Sequence, residues 1–245
     1  MDFMRAIQYP FEDEDWLTKV GVGVLIMLVP ILNITATGYM VEVIRNVANN
    51  DPRPMPNWDR LGDFFMKGLF VVLAQIVYSI VPYAILVAVL VPLYILPLLG
   101  GQSEEATMML SGLTLVGVIC VSLIGFVLLI AASLLLMAGL IRFSVGRQEI
   151  GELFQVVDNF KFLRDHLGLF LMAAVYVFVL LLVIGALIGC IGLLLGLIPI
   201  CGQIITFIIA LPLGFLITLF LGHLGGQIAH QAGLTGPQLS TPPKV

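Results

Sequence analysis

Long apolar runs, broken by two polar stretches, constrain this chain more than any other feature of its sequence. The polar stretches cover residues 37–69 and 142–166, and each lies between apolar runs. A helix that crosses about 30 Å of hydrocarbon needs about 20 apolar residues, and several of the runs are that long. Only 11% of the residues are charged, and the mean hydropathy is +1.11. The sequence therefore predicts an all-α integral membrane protein with a single membrane domain.

We predict five transmembrane helices and two amphipathic helices at the membrane interface. In each polar stretch, apolar residues recur at helical spacing opposite charged residues, which is typical of a helix on the membrane surface. The predicted segments, in chain order, are a polar lead over 1–16, a span over 17–43, an interfacial helix over 57–67, spans over 68–99 and 106–141, a second interfacial helix over 149–165, spans over 167–198 and 203–229, and a polar tail over 231–245.

The first apolar run has two competing interpretations. Pro30 and Asn33 lie near its middle, where a proline removes a helical hydrogen bond and kinks the helix. A re-entrant hairpin turning at residues 30–33 is the alternative, but each of its arms would have about ten residues, too few to cross. We therefore expect a kinked span over 17–43. A kinked span places the amino terminus outside the cell, whereas a hairpin allows it to lie inside.

The two polar stretches resemble each other and suggest an internal repeat. Residues 38–45 lie at the start of the first stretch and residues 139–142 lead into the second, and both segments begin with glycine and end with Ile-Arg. Each is followed by a surface helix, a glycine (Gly68 or Gly168) and a pair of spans. Residues 222–227 resemble a third, degenerate copy. The pattern predicts a parallel repeat of one surface helix and two spans, preceded by one extra span.

The distribution of basic residues predicts the topology. The two polar stretches hold eight of the eleven Lys and Arg residues, while the turns at 100–105 and 199–202 hold none. Cytoplasmic loops of membrane proteins carry an excess of basic residues. We therefore expect a multi-pass protein of the cell (inner, cytoplasmic) membrane with loops 46–67 and 142–166 in the cytoplasm. Five spans then place the carboxy terminus inside.

The amino-terminal third carries a pattern of prolines, glycines and aromatic residues. The pattern consists of Pro10, Phe11 and Trp16, residues 30–33, Gly38 and Tyr39 leading to residues 43–46, and Pro56, Trp58, Gly62, Asp63, Phe65 and Gly68. Over about residues 8–80 it resembles a family of prokaryotic integral membrane proteins, the domain of unknown function 4013 (DUF4013). The resemblance implies a helical membrane protein with motif residues Gly38, Tyr39, Arg45, Trp58, Asp63 and Gly68. Because the family is uncharacterised, the resemblance implies no activity.

Polar and glycine residues inside the predicted spans are the remaining candidates for sites. Asn33 and Gln75 are expected to be buried polar side chains that need a partner on a neighbouring helix. His223 and His230 lie seven positions apart on one helix face, which makes them weak candidates for a haem or chlorin site and better candidates for interfacial polar residues. A glycine face with GxxxG spacing, suited to helix packing, consists of Gly185, Gly189, Gly192 and Gly196.

The sequence contains no recognisable catalytic or metal-binding set. The cysteines Cys120, Cys190 and Cys201 have no His or carboxylate at metal-ligand spacing, so we interpret them as small apolar residues. Ionisable residues, which mark proton relays and membrane-embedded catalysis, occur only near the ends of the predicted spans. We therefore expect neither an enzyme nor a cofactor, and the net charge of −4 argues against binding of nucleic acid.

Two functions of different classes are compatible with this pattern. The first is a non-catalytic scaffold or accessory subunit that packs against membrane lipids and against other membrane proteins or copies of itself. The alternative is an oligomeric transporter or pore for small solutes or lipids, which requires a water-accessible path past Asn33 and Gln75. We expect the scaffold, because glycines for helix packing are present and ionisable residues for transport coupling are absent from the middle of the spans.

Overall fold

A computed structural model of the protein describes residues 1–95, 104–196, 198 and 200–235, and they are helical without any strand. Residues 96–99 of the predicted span over 68–99, residues 100–103 of the predicted turn over 100–105 and residues 236–245 of the predicted tail lie outside the described residues. The helices are α1 (Phe3–Gln8), α2 (Trp16–Leu28), α3 (Asn33–Ala48), α4 (Leu61–Ile95), α5 (Glu104–Val145), α6 (Ile150–Leu153), α7 (Val156–Asp165), α8 (Leu167–Leu195) and α9 (Cys201–Gln231), with 3₁₀ turns at Tyr9–Glu12 and Trp58–Arg60.

Four helices are long and apolar enough to cross a membrane. Within the described part of the chain, these segments are Trp58–Ile95, Met108–Val145, Leu167–Leu195 and Cys201–Gln231. They correspond to the predicted spans over 68–99, 106–141, 167–198 and 203–229, so the helical, membrane-embedded character of the chain is confirmed. The predicted fifth span and the internal repeat have no such support.

The first apolar run forms two helices, where the sequence analysis expects one kinked span over 17–43. Helix α2 ends at Leu28, and Val29 has extended backbone (φ −98°, ψ 114°). The cause is Pro30, which disfavours helical backbone at the residue before it and cannot donate a hydrogen bond. Helix α2 has 13 residues, so it is about 20 Å long and too short to cross the hydrocarbon core.

Helices α2 and α3 form a hairpin, because the start of α2 lies beside the segment that follows α3. Trp58 Nε1 donates a hydrogen bond to the carbonyl oxygen of Lys19 at 2.8 Å. Lys19 Nζ in turn donates to the carbonyl oxygen of Met55 at 3.0 Å. The hairpin turn at the opposite end is apolar and exposed, with Ile31 68% exposed. This geometry is the re-entrant alternative.

The two predicted interfacial helices also differ from the structure. Residues 57–67 form the Trp58–Arg60 turn and the first two turns of α4, which continues into the second span without a break. Of the apolar residues in this segment, Phe64 is completely buried against Tyr39 of α3, whereas Leu61 is 47% exposed. In the second stretch, predicted over 149–165, α6 and α7 are separated at Phe154 and Gln155.

The chain divides into two compact units. The first comprises residues 1–72 and 137–245, and the second comprises residues 73–136. In the second unit, Leu86 and Leu93 of α4 lie against the glycines of α5, Gly125 and Gly117. In the first unit, α9 packs against α2, α3 and α8, and its Phe215, Leu219 and Phe220 enter the buried core. The residues discussed below as a site belong to the first unit.

Helices α3 and α4 touch through two glycines. A Cβ atom at Gly38 would overlap the carbonyl oxygen of Phe64, and one at Gly68 would overlap the carbonyl oxygen of Ile34. Any side chain at either position would push the two backbones apart. The closeness of α3 and α4 therefore depends on glycine at both positions.

We expect Gly38→Ala and Gly68→Ala to destabilise the fold by about 1–3 kcal/mol or more, because a rigid backbone cannot yield to the added methyl group. The matched control is Gly62→Ala at the start of α4, where a Cβ would meet nothing within 4 Å. The control removes a helical glycine and is expected to stabilise the fold by up to about 1 kcal/mol. Thermal unfolding in detergent measures both effects. If Gly38→Ala and Gly68→Ala changed the unfolding temperature no more than Gly62→Ala does, the close contact between α3 and α4 would be contradicted.

Candidate functional site

Two of the family-motif residues, Tyr39 and Trp58, belong to an aromatic cluster that joins the hairpin to the loop before α4. The rings of Tyr39 and Trp58 stack with centroids 4.2 Å apart and planes inclined by 23°. Tyr39 OH donates a hydrogen bond to the carbonyl oxygen of Pro56 at 2.8 Å. Phe64 and Phe215 pack edge-on or tilted against the same two rings. The cluster holds the loop against α3 and α9.

A buried carboxylate, Glu42, lies at the centre of a polar cluster next to these rings. Its side chain is 2% exposed and accepts hydrogen bonds at Oε1 from Lys67 Nζ and from Gln148 Nε2, the latter at 3.1 Å. Lys67 Nζ also donates to Asp63 Oδ2 at 2.7 Å, and Arg60 lies 3.9 Å from Glu42 Oε2. A buried charge is tolerated when it is paired and hydrogen-bonded in this way. The cluster therefore connects α3, the start of α4 and the segment after α5.

Two arginines at the ends of apolar helices are also held by the fold. Arg45 in the last turn of α3 is 8% exposed, and it has interaction partners in the structure. Arg142 in the last turn of α5 donates from Nη1 to Asn159 Oδ1 and from Nη2 to Gln155 Oε1, at 3.0 Å for the second bond. Asn159 is fully buried and donates to the carbonyl oxygen of Leu153 at 3.1 Å. Arg142 and Asn159 therefore anchor α7 to α5.

A third polar contact connects the polar lead to the start of α2. Lys19 Nζ pairs with Asp13 Oδ2 at 2.7 Å, and Asp13 Oδ1 accepts a hydrogen bond from the backbone nitrogen of Asp15 at 2.9 Å. Burial alone would raise the pKa of Asp13, but the hydrogen bonds from Lys19 and Asp15 outweigh burial and hold that pKa below its usual value. Asp13 is therefore a carboxylate at neutral pH, and Lys19 is its counter-ion.

A cavity of about 390 Å³ opens where the polar lead, the loop after α3 and the end of α9 meet, and we call it the base cavity. Side chains of both charges line it together with both histidine candidates. The polar and charged lining residues are Asp2, Arg5, Tyr9, Glu12, Asp13, Asn50, Asp51, Arg53, His223, Gln227, His230 and Gln231. Burial raises the pKa of the Tyr9 hydroxyl well above its usual value, so this group stays a neutral hydrogen-bond donor.

The structure brings the two histidines to one cavity and engages one nitrogen of each. His223 Nδ1 lies 2.9 Å from Gln227 Nε2, and His230 Nδ1 lies 3.1 Å from the carbonyl oxygen of Ala48. His223 is 3% exposed, and His230 is exposed. In the part of the chain that the structure describes, no group of three or more His, Cys, Asp or Glu residues is arranged to hold a metal ion. The two imidazoles are thus hydrogen-bonded lining residues.

The two candidates for buried polar residues lie elsewhere. Asn33 is exposed at the hairpin turn, where it begins α3, and Gln75 is exposed on α4. The expectation that both are buried within the chain therefore differs from the structure. Periodicity alone could not separate a face packed on protein from a face turned to lipid, because both are apolar.

The predicted glycine face of α8 is open along most of its length. A Cβ at Gly185 or Gly189 would meet nothing within 4 Å among the described residues, and one at Gly192 would lie 3.8 Å from Thr206 of α9. At Gly196 the nearest atom is the carbonyl oxygen of Gly192 in the same helix. Only the end of the face therefore lies near α9, and Gly185 and Gly189 are available to another helix.

Sequence reasoning missed three residues that matter most for the geometry. The predicted segments put Glu42 at the end of a span and Lys67 on an interfacial helix, and nothing in their spacing connects them. Gln227 was missed as the partner of His223, although the i, i+4 spacing on one helix was a usable signal. The contacts of Glu42 with Lys67 and Gln148 join positions that are 25 and 106 residues apart in sequence.

One comparison with known proteins gives a match. A family model with the description "Protein of unknown function (DUF4013)" matches residues 22–193, well over half of the chain. The match extends beyond the resemblance over about residues 8–80, and it leaves Pro10, Phe11 and Trp16 outside. Neither a curated protein nor a solved structure matches the chain.

We expect Lys67→Met to destabilise the fold by about 3–5 kcal/mol, because it leaves the buried Glu42 carboxylate without its main counter-ion. The matched control is Lys161→Met on α7, whose partner Asp158 is 3.5 Å away in a pair that is 60% and 52% exposed. Removing such a surface pair costs less than about 1 kcal/mol. The measurement is thermal unfolding in detergent.

A second variant separates lost charge pairing from lost packing. Adding Glu42→Gln to Lys67→Met removes the unpaired charge, so part of the lost stability should return. If Lys67→Met cost no more than Lys161→Met, the cluster would not be a buried ion pair.

Proposed function

This chain belongs to the family described as protein of unknown function (DUF4013), and we propose that it is a non-catalytic membrane scaffold or accessory subunit. It packs through its apolar helices against other membrane proteins, copies of itself and lipids. The described contacts of its polar side chains are ion pairs and hydrogen bonds that hold together the polar end of the first unit. This arrangement stabilises a fold, and the helices beyond it remain free for association.

The observation that carries this proposal is the surface of α8. None of its most apolar 18-residue window is buried within the chain. On this helix, Gly185 and Gly189 have the GxxxG spacing that allows two membrane helices to approach closely. Lipid can cover an exposed apolar surface without any protein partner. A pair of glycines, however, leaves a groove in which another helix packs more closely than lipid does. The partner in this proposal is therefore a transmembrane helix.

The proposal includes an orientation in the membrane. Four spans and a hairpin that does not cross place the amino terminus, both polar loops and the end of α9 on one side. Asp2 supports this arrangement, since its backbone nitrogen and oxygen hydrogen-bond to Gln227 at 2.7 Å and 2.9 Å. The basic residues of loops 46–67 and 142–166 favour the cytoplasm for that side. The membrane is the cell membrane of a prokaryote in this proposal.

The transporter alternative has less support. It needs a polar path past Asn33 and Gln75, and both side chains are exposed on their helices. Neither lines the base cavity, whose residues lie at the polar end of the first unit. The scaffold therefore fits the positions of these two residues better.

The test is extraction of the native membrane in mild detergent, followed by the mass of the intact particle and identification of its chains. We expect each particle to hold this chain with at least one further membrane chain, either a foreign subunit or a second copy. Gly189→Leu should weaken this association about tenfold, because a bulky side chain separates the helices.

The matched control is Gly168→Leu at the start of the same helix, where a Cβ also meets nothing within 4 Å. It should leave the particle unchanged. A wild-type particle that contains a single copy of this chain and no other protein would overturn the proposal. Solute flux through liposomes that hold only this chain would favour the transporter instead.

A further inference from the structure

We propose that the base cavity binds a small zwitterionic group, an ammonium close to an oxyanion such as a phosphate or a carboxylate. The inference starts from His223, which lines the cavity and is 3% exposed. It does not depend on the scaffold proposal, because it concerns the polar end of the first unit and not the lipid-facing helices.

The hydrogen bonds of Gln227 define which nitrogen of His223 carries the proton. The backbone nitrogen of Asp2 donates to Gln227 Oε1 at 2.7 Å, and Gln227 Nε2 donates to the backbone oxygen of Asp2 at 2.9 Å. These two bonds assign the oxygen and nitrogen of the side-chain amide. Gln227 Nε2 is therefore also the donor to His223 Nδ1, 2.9 Å away. With Nδ1 accepting, the proton of the neutral imidazole is on Nε2.

His223 Nε2–H is a donor without a hydrogen-bond partner among the described residues. It is not one of the side-chain atoms that the fold closes off from solvent, although the residue as a whole is 3% exposed. An acceptor in the cavity gives this donor the hydrogen bond that no described residue provides. Because the His223 ring is nearly enclosed and lines the base cavity, the small part that stays accessible faces the cavity.

The ring is also held in place before any ligand arrives. Tyr9 lies against it with ring centroids 4.5 Å apart, and Tyr9 OH donates to the carbonyl oxygen of Leu219 at 3.0 Å. Both Tyr9 and His223 are buried. A donor whose orientation is already defined loses little conformational entropy on binding, so it is suited to recognition.

The charges around the cavity point to a ligand that carries both signs. Arg5 is exposed and makes no ion pair with a described residue, so its guanidinium is available to an oxyanion next to His223. Glu12 is likewise exposed without an ion pair, and Asp51 uses Oδ1 to accept from the backbone nitrogen of Arg53 at 2.9 Å. These carboxylates repel a simple anion and attract an ammonium. A zwitterion satisfies both groups.

Two sources supply this chemistry. The cavity lies at the ends of membrane helices and next to loops with many charges. At this level the headgroup of phosphatidylethanolamine, a component of membranes, can reach it. A free molecule such as an amino acid presents the same pair of charges. At about 390 Å³ the cavity has the size of a small-molecule site.

The first test measures binding of O-phosphoethanolamine to the full chain in detergent by isothermal titration calorimetry. We expect it to bind more tightly than inorganic phosphate or ethanolamine, each of which offers half of the charge pair. His223→Phe and Arg5→Gln should each weaken binding about tenfold, the loss expected for one hydrogen bond to a charged group. His223→Phe keeps an aromatic ring against Tyr9.

The matched control is Arg164→Gln, an exposed arginine of α7 that pairs with Asp165 at 3.0 Å and does not line the cavity. It should leave the affinity unchanged. Arg5 is exposed, so Arg5→Gln tests the site even if His223→Phe fails to fold. Phosphoethanolamine that does not bind, or that binds wild type and Arg5→Gln equally, would overturn the proposal.

A second experiment distinguishes the two sources. The protein is placed in nanodiscs of phosphatidylglycerol with or without phosphatidylethanolamine, and binding of soluble phosphoethanolamine is measured again. Phosphatidylethanolamine that abolishes this binding identifies the lipid headgroup as the occupant. Unchanged binding in both nanodiscs identifies a free zwitterion. Either result supports a zwitterion site, whereas binding of inorganic phosphate as tight as that of phosphoethanolamine contradicts it.

Discussion

The contact between α3 and α4 at Gly38 and Gly68 is the constraint on which the described part of the first unit depends. Each glycine lies against a backbone carbonyl of the other helix, so neither position has room for a side chain. At that distance Glu42 reaches Lys67, and the loop between the helices brings Trp58 onto Tyr39. The hairpin is fastened to this assembly by the hydrogen bond from Trp58 to Lys19. These contacts give the polar end of the first unit a closely packed core.

The polar end of the first unit also contains the charged groups that would be costly to place in the hydrocarbon of a membrane. Glu42, Lys67 and Asp13 are buried charges, and each has an ion-pair partner. The exposed surface of the hairpin turn and of α8 is apolar. The first unit therefore has a polar end for the membrane surface and apolar parts for the hydrocarbon, which is the division that the bilayer imposes on backbone and side chains.

Much of the fold could be predicted from the length of the apolar runs, since about 20 apolar residues are the physical requirement for a span. The hairpin of α2 and α3 could not be predicted in this way. Pro30 predicts a break, but the difference between a kink and a turn depends on contacts of Lys19 with residues 55–58, which local sequence does not reveal. The interfacial helix over 57–67 differs for a similar reason. Its apolar stripe suits a membrane surface and suits α3 equally, and Phe64 is buried by tertiary packing.

The candidate site could be predicted only in part. Local spacing placed His223 and His230 on one helix face, and the structure brings both to the base cavity. The other walls come from the polar lead and the loop after α3, about 170 or more residues away in sequence. No pattern within one segment predicts such a meeting. The family motif was the better guide, because Gly38, Tyr39, Trp58, Asp63 and Gly68 all lie on α3, at the start of α4 or in the turn just before α4.

The most direct test of the central claim, that the hairpin does not cross the membrane, is labelling of single cysteines with an impermeant maleimide in sealed vesicles. Met4→Cys reports the amino terminus, and Asp51→Cys reports the loop after α3. Native Cys201, the first residue of α9, is the reference for the opposite side. Cys120 and Cys190 are replaced by serine throughout, and Cys201 is also replaced in the Met4→Cys and Asp51→Cys proteins. We predict that Met4→Cys and Asp51→Cys react from the same side and Cys201 from the other. Reaction of Met4→Cys from the side of Cys201 would contradict the hairpin and restore a crossing span.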